Sequence, residues 1–381
     1  MTRIYLDYNG TAPIRPEALA AATEAMTLGG NPSSVHASGR AARAIVETAR
    51  EQVAALIGAP ASTIVFTSGG TEANALAVES AVAAGSRRLL VGATEHDCIR
   101  ATAEASAGIV ETWPVDRNGV ADLDWLEARL QAWSPADGRP FAALMLANNE
   151  TGVIQPVAEA AALVGAVDGW LHVDAVQAAG KVAVESRALG ADTLAIASHK
   201  IGGPAGSGAL TFGPRAVLSR RLHGGGQERG RRGGTENLSG IAGFGAAAQA
   251  ARRDLPNLEA QSFWRDSTAN RLATDAGVTI FGKDAPRLPN TLCFAAPGFS
   301  SELQVMSLDL EGVMVSSGSA CSSGKVKASH VLLAMDAGAL AGSALRVSGG
   351  WATIQAEWVE FADLWLAALA RQQSRRRVSA A

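Results

Sequence analysis

The chain has 381 residues, long enough to bury a large core in more than one domain. Its formal net charge of −3 gives no electrostatic case for nucleic acid or an anionic membrane surface, and no uncharged apolar run reaches the roughly 18 residues of a membrane span. Three widely spaced cysteines, Cys98, Cys293 and Cys321, fit neither a disulfide framework nor a zinc site; with no signal-like pattern in MTRIYLDYNG, a reducing cytoplasm is expected.

Residues 3–8 read as a short strand, and the Pro13–Pro16 turn leads into a helix over 17–27. The segment GGNPSSVHASGR (29–40) has loop chemistry and precedes a helix to about Ile57. From there strands and helices alternate. Strands are expected at 63–66, 88–91, 142–147, 170–173, 193–197 and 208–212, with helical patterns at 72–84, 123–133 and 157–167. Such alternation predicts an α/β fold with a mostly parallel sheet covered on both faces. Ligands in these sheets bind beyond the carboxyl ends of the strands.

The glycine-rich HGGGQERGRRGGTEN (223–237) separates this half from the C-terminal third of the chain. Helix is expected over 238–253 and onward to about 275, then strands near 278–281 and 290–294, a helix over 301–310, a strand over 313–316 and a closing helix from Ala356. The expected division is a large domain over 15–250 and a smaller α+β domain built from 1–14 and 251–381. The terminal ARQQSRRRVSAA reads as a solvated basic tail.

Polar clusters fall where the strands end. Ser198-His199-Lys200 follows the apolar run 193–197 at once and opens a glycine-rich loop; LHVDAVQ sets Asp174 at the end of another apolar run, with Gln177 three residues later. Two readings fit the lysine. It caps a strand and pairs with a nearby acid, or it forms the Schiff base of pyridoxal phosphate while Asp174 keeps the pyridine nitrogen protonated. In FTSGGTEANALA, Gly69 and Gly70 leave backbone N–H groups uncovered before a helix, with the Thr71 hydroxyl beside them. This is an ordinary capped helix or an anion cup, and it matches neither a P-loop nor a dinucleotide fingerprint.

His96, in GATEHD, is a surface histidine or a group that stacks on a cofactor ring and shuttles protons. Asn149, in ANNETG, forms a turn or donates to a ring hydroxyl. Cys321, in VSSGSACSSGKV, is surrounded by serine and glycine, whereas Cys293 has the apolar neighbours of a core cysteine. A thiolate on such a loop can attack. Cys98, two residues after His96, pairs with it or starts a buried helix face. Arg346, in SALRVSGG, grips a carboxylate bidentately or closes a structural salt bridge.

Taken together and in order, YLDYNGTAP, GNPSSVH, FTSGGTEANALA, ATEH, NNETG, HVDAVQ, SHK, HGGGQERGRRGGTEN, SSGSACSSG and LRVSGG resemble the cysteine desulfurases. These are fold-type I pyridoxal-phosphate enzymes of the class V aminotransferase group, and the resemblance spans roughly residues 3–350. The motif SSGSAC is similar to that of the NifS/IscS branch rather than the SufS branch. The fold implied is a fold-type I PLP-dependent transferase, its large domain holding a mostly parallel, seven-stranded-type sheet.

The resemblance also implies roles. Lys200 would carry the cofactor, Asp174 would pair with its ring nitrogen, and Gln177 and Asn149 would touch its ring oxygen. Gly70, Thr71 and His199 would hold its phosphate. Ala197 stands where the family carries a serine, so one phosphate hydroxyl would be lost or supplied by Ser198 from a shifted position. Thr235 would reach the phosphate of a neighbouring subunit, which implies a homodimer with shared sites. His96 would stack over the ring, and Arg346, helped by Asn31, would bind the substrate carboxylate. Lys200 would move the α-proton of L-cysteine, and Cys321 would take the sulfur as a persulfide while L-alanine leaves.

An iron–sulfur scaffold or another acceptor protein would receive the sulfur, with Cys321 also a transient ligand of the nascent cluster. No nucleic acid or membrane enters this reading. Departures from the family are Asn9-Gly10 in place of Ala-Thr, GKVKASH after the cysteine loop, and a sequence that stops soon after its last helix. Another class V enzyme, a selenocysteine lyase or an aminotransferase, would need Lys200 and Asp174 but no loop cysteine. A catalytically silent sulfur-transfer scaffold is the non-enzymatic alternative.

Overall fold

The computed structural model describes residues 3–317 and 328–380, the last five of these by their backbone alone. The chain opens with β1 (Ile4–Tyr5), α1 (Pro16–Leu28) and α2 (Ala37–Leu56). Proline sets the first turn of α1, and Gly29 closes it in the left-handed region at φ 61°.

Short strands, most of them largely apolar, then alternate with helices: β2 (Ile64–Thr67), α3 (Gly70–Ala83), β3 (Arg88–Gly92), α4 (Asp97–Ala105), β4 (Ile109–Trp113), α5 (Leu123–Gln131), β5 (Phe141–Met145), α6 (Val157–Ala166), β6 (Trp170–Asp174), β7 (Thr193–Ala197) and β8 (Gly208–Phe212). Their seven strands form one sheet in the order β2-β8-β7-β6-β5-β3-β4. The pairs β3–β4, β3–β5, β5–β6 and β6–β7 are parallel, and β8 runs antiparallel to both its neighbours. This is the mostly parallel, seven-stranded sheet that the motifs implied.

Register brings the motifs to one edge. Thr67 pairs with Gly208, Gly208 with Ala197, and Asp174 with both Met145 and Ala195. The turns after β2, β6 and β7 therefore open side by side. The crossing is tight: a Cβ on Gly208 would lie 2.5 Å from the Gly69 carbonyl carbon, so only glycine lets β8 pass beneath that turn.

Strand β4 was not expected. Its Ile109 is 55% exposed at the sheet edge, and Glu111 interrupts its apolar pattern. Glu111 is held there by Arg88 and Arg129. An edge strand with one half-solvated face lacks the continuous apolar run that marked its neighbours.

Beyond the glycine-rich segment lie α7 (Leu238–Glu259), α8 (Gln261–Ala276), β9 (Thr279–Ile280), β10 (Thr291–Ala295), α9 (Ser301–Leu310), β11 (Val313–Met314), α10 (His330–Ala334), β12 (Ala344–Ser348) and α11 (Gln355–Ala380). The single long helix expected to about 275 is broken at Ala260, which ends one helix and starts the next, four residues after Pro256. Strands β12-β10-β9 form an antiparallel sheet, and β1 pairs in parallel with β11.

Two main cores result. One gathers Val46, Val53, Phe66, Leu144, Leu194 and Phe244 around the large sheet. The other gathers Ile4, Leu6, Leu292, Leu345, Trp358 and Phe361, centred on Phe294 edge-to-face with Trp365 at 5.1 Å. The first strand thus packs with the last helix, and residues 7–13 are carried from the second core to the carboxyl edge of the large sheet.

Candidate active site

Lys200 ends a single 3₁₀ turn (Ser198–Lys200) at the close of β7. Its Nζ donates to the carbonyl oxygens of Asn9 at 2.6 Å and Gly10 at 2.7 Å. Burial pushes its proton affinity down to about 8; Arg346 adds to the fall, and Asp7 and Asp174 oppose it. The N-terminal loop is tied to this turn by Ala12 N donating to His199 O at 2.9 Å. His199 sits half-buried, Nδ1 3.2 Å from Thr11 Oγ1, and burial lowers it to about 4, so the ring is neutral.

Asp174 is buried at the end of β6. Its Oδ1 accepts from Val176 N at 2.9 Å and its Oδ2 from Asn74 Nδ2 at 2.8 Å. Burial raises its proton affinity, and nearby His96 and Lys200 oppose the rise. Behind it runs a chain of hydrogen bonds whose directions are determined. Trp170 Nε1 donates to Thr193 Oγ1 at 2.9 Å, which lies 2.9 Å from His172 Nδ1. His172 Nε2 is 2.9 Å from Asn74 Oδ1. An indole can only donate, and an ionised carboxylate can only accept. With Asp174 ionised, Asn74 turns its NH₂ to it and its oxygen to His172, which then carries its proton on Nε2. Burial lowers His172 to about 3, consistent with one neutral tautomer.

The Gly69–Thr71 turn lies on the same edge. Helix α3 begins at Gly70, and Gly69 is in extended backbone at φ 159°. A Cβ on Gly70 would stand 2.9 Å from Val176 Cγ2 and 3.4 Å from Ala197 Cβ, so the Asp174 and Lys200 turns meet this helix start directly. Thr71 is exposed beside it. Free N–H groups at a helix start, with an open side, suit an anion.

Ala197 Cβ faces that cup, and Ser198 does not. Residues alternate across the end of β7, so Ser198 Oγ is fully enclosed, against Gly203, and makes no hydrogen bond. The expected shifted hydroxyl is corrected here: Ser198 cannot reach the cup.

His96 caps α4, its Nδ1 accepting from Cys98 N at 3.1 Å, and it is exposed. Cys98, half-buried on α4, has its thiol pushed up to about 12 by burial, which disfavours the thiolate. Asn149 is half-buried, and its carbonyl oxygen accepts from Asn9 Nδ2 at 3.2 Å and Arg346 Nη1 at 3.0 Å. The Arg346 guanidinium is buried in β12 and closes a salt bridge to Asp7 Oδ1 at 2.7 Å. Gln177 is buried, with Nε2 3.0 Å from Asn9 O.

Two further candidate residues lie on the surface. Asn31 makes a local turn, its Oδ1 accepting from Ser33 N at 2.9 Å. Thr235 is exposed in the 223–237 segment. Cys321 lies outside the described residues. Before it, Ser316 bridges to Arg346; after it, Ser329 donates to Glu150 Oε2 at 2.6 Å, and His330 lies 3.0 Å from Glu95 O. Both flanks of the Cys321 stretch therefore sit against the site. Among the described residues no group of three or more His, Cys, Asp or Glu side chains is placed to hold a metal.

Residue patterns overlooked Asn9, Asn74, Glu95, His172 and Lys181. Glu95 is fully buried beside Asp174; burial raises it to about 8, and its Oε2 has no partner among the described residues. His172 had one legible signal: it lies two residues before Asp174 on a strand, hence on the same face.

A mostly parallel sheet with a lysine, a buried carboxylate and a glycine-led helix start on one edge defines the fold-type I class. The profile of the class-V aminotransferases matches residues 4–358, and the chain belongs to that family. Relatives include the cysteine desulfurase of Cereibacter sphaeroides, 43% identical over 88% of this chain and 87% of that protein. Another is the cysteine desulfurase IscS of Dictyoglomus turgidum, 36% identical over 87% and 86%. The crystal structure of a NifS-like protein from Rickettsia africae superposes with a TM-score of 0.88 at 31% identity, covering 98% of this chain and all of that one. Enzymes of this family depend on pyridoxal 5′-phosphate. Among the described residues no helix is long and apolar enough to cross a membrane.

Proposed function

We propose that the protein is a pyridoxal-phosphate-dependent cysteine desulfurase. It converts L-cysteine to L-alanine and holds the sulfur as a persulfide on Cys321. The observation that carries this reading is the Lys200 amine, seated on two backbone carbonyls at the end of β7 within the field of Asp174.

The residues present fit the cofactor. There is an amine with lowered proton affinity, a buried carboxylate for a ring nitrogen, and a helix start with space a side chain would fill. When bound, the cofactor supplies an electron sink for charge that develops at the substrate Cα. Gly70 and Thr71 would take its phosphate with His199 alongside, and Asn149 and Gln177 its ring oxygen. A lysine that titrates at about 8 can hold or release a proton near neutral pH, which suits it to move the proton at Cα. Arg346 would exchange Asp7 for the substrate carboxylate, with Asn31 as helper, and the exposed imidazole of His96 would stack on the ring.

Sulfur transfer balances as L-cysteine plus the Cys321 thiol giving L-alanine plus the Cys321 persulfide. The carbon–sulfur bond of the substrate breaks as the sulfur–sulfur bond forms. An iron–sulfur scaffold or another acceptor protein would then take the sulfur in the cytoplasm, with Cys321 touching the nascent cluster. Thr235, exposed, would serve the site of a second copy in a homodimer. Residues 15–250 would form the cofactor domain, and 1–14 with 251–381 the smaller one. L-cysteine should yield alanine with the wild-type protein and none with K200A; alanine release that survives K200A refutes the reading.

A further inference from the structure

A second lysine is buried in the same pocket. Lys181, four residues after Gln177, is 4% exposed, and its Nζ donates to Gln177 Oε1 at 2.5 Å and Asn9 Oδ1 at 2.8 Å. Both acceptors are neutral. The charged groups that bear on it, Lys200 and Arg346, are cations, and burial with their repulsion drives its proton affinity well below the ordinary lysine value. A buried amine with no counter-charge is costly to keep.

Its position settles an orientation. The other end of the Gln177 amide faces Asn9 O, a main-chain oxygen that only accepts, so the atom facing Lys181 is the oxygen. Gln177 Nε2 is then directed to Asn9 O, the oxygen that Lys200 Nζ also reaches. Asn9 closes the loop. Its main-chain oxygen serves Gln177 and Lys200, its Oδ1 serves Lys181, and its Nδ2 is anchored on Thr291 Oγ1 at 2.9 Å. Whatever is attached at Lys200 therefore meets an N–H of Gln177 and not its carbonyl.

We propose that Lys181 is a positioning residue that locks Gln177 as a hydrogen-bond donor to the ring oxygen of the cofactor carried at Lys200. This rests on the reading that the chain binds pyridoxal phosphate there. A donor on that oxygen favours its anionic form and lowers the pH at which the bound cofactor gives up its proton. Without Lys181 the amide oxygen loses its donor, and Asn9 O alone resists a turn that would bring that oxygen inward, which opposes the anion. Lys200, Arg346, Asp7, Asp174 and His199 also face this cluster. All remain in a Lys181 variant, so a difference between the two proteins reports Lys181.

The test is a pH titration of the visible absorbance of the holoenzyme, wild type against K181M. The midpoint of K181M should move up by about one pH unit, a tenfold change in proton affinity. Should K181M fail to load the cofactor, K181A, which also has no donor, carries the test with the same direction expected. An unchanged midpoint in a loaded variant overturns the proposal, and so does loss of folding in both variants, which would make Lys181 a structural residue. A wild-type protein with no visible cofactor band would instead overturn the proposed function.

Discussion

Ala197 decides how many donors the anion cup has. Its methyl faces the Gly70 turn while the neighbouring Ser198 hydroxyl is sealed against Gly203. A197S should therefore add a donor to a charged group, and such a bond is worth about 1.5–3 kcal/mol. The expected outcome is cofactor held at least about tenfold more tightly, measured by equilibrium dialysis against pyridoxal phosphate; unchanged affinity would show that the methyl does not face the phosphate. The neighbouring polar residues show why the site was only partly legible in the sequence. Lys200, Asp174 and Gly70 stand out because apolar runs stop at them. His172, Lys181 and Glu95 sit within or near such runs, and their meaning comes from being buried together, which a one-dimensional pattern does not carry. The Ser198 expectation failed because neighbouring residues at a strand end point to opposite sides.

At the scale of elements, the 223–237 segment is pinned by one buried ion pair. Arg50 of α2 meets Glu228 with two bonds, at 2.7 and 2.9 Å, and Glu228 also accepts from Phe66 N at 3.0 Å. Glu228 and Arg229 both adopt positive φ, 47° and 55°, so local backbone strain is held by these contacts. Removing Glu228 leaves the buried Arg50 guanidinium with only the half-exposed Glu47 as counter-charge, which costs up to about 3–5 kcal/mol. E228A should lower unfolding free energy by that amount in urea; a loss below about 0.5 kcal/mol would mean the segment is anchored elsewhere. The element pattern itself was largely legible, because buried parallel strands are continuous apolar runs. The exceptions, β4 and the break at Ala260, are an edge strand held by ion pairs and a helix interrupted near a proline, where tertiary contacts override the local signal.

At the scale of the molecule, the buried groups under the sheet edge set how stability varies with pH. Glu95 is raised from 4.5 to about 8, so its contribution is full below about 4.5 and is lost as pH rises through about 8. His172 is lowered from 6.5 to about 3, so its contribution holds above 6.5 and is lost as pH falls toward 3. E95Q keeps an acceptor for Met145 N without the ionisable proton. It should gain stability on the wild type between about pH 5 and about pH 9, read by urea denaturation at each pH. A difference that does not change with pH would place Glu95 in a wetter setting than its burial indicates.

The fold joins the cofactor edge of the large sheet to Arg346 on the smaller one through residues 7–13, and both flanks of the Cys321 stretch rest on that junction. The most direct test of the function is to incubate the holoenzyme with L-cysteine, quantify alanine, and map protein-bound persulfide by mass spectrometry. Alanine should appear with persulfide on Cys321, and C321A should abolish both. Alanine formed at the wild-type rate by C321A, or persulfide on Cys98 or Cys293 instead, would contradict it.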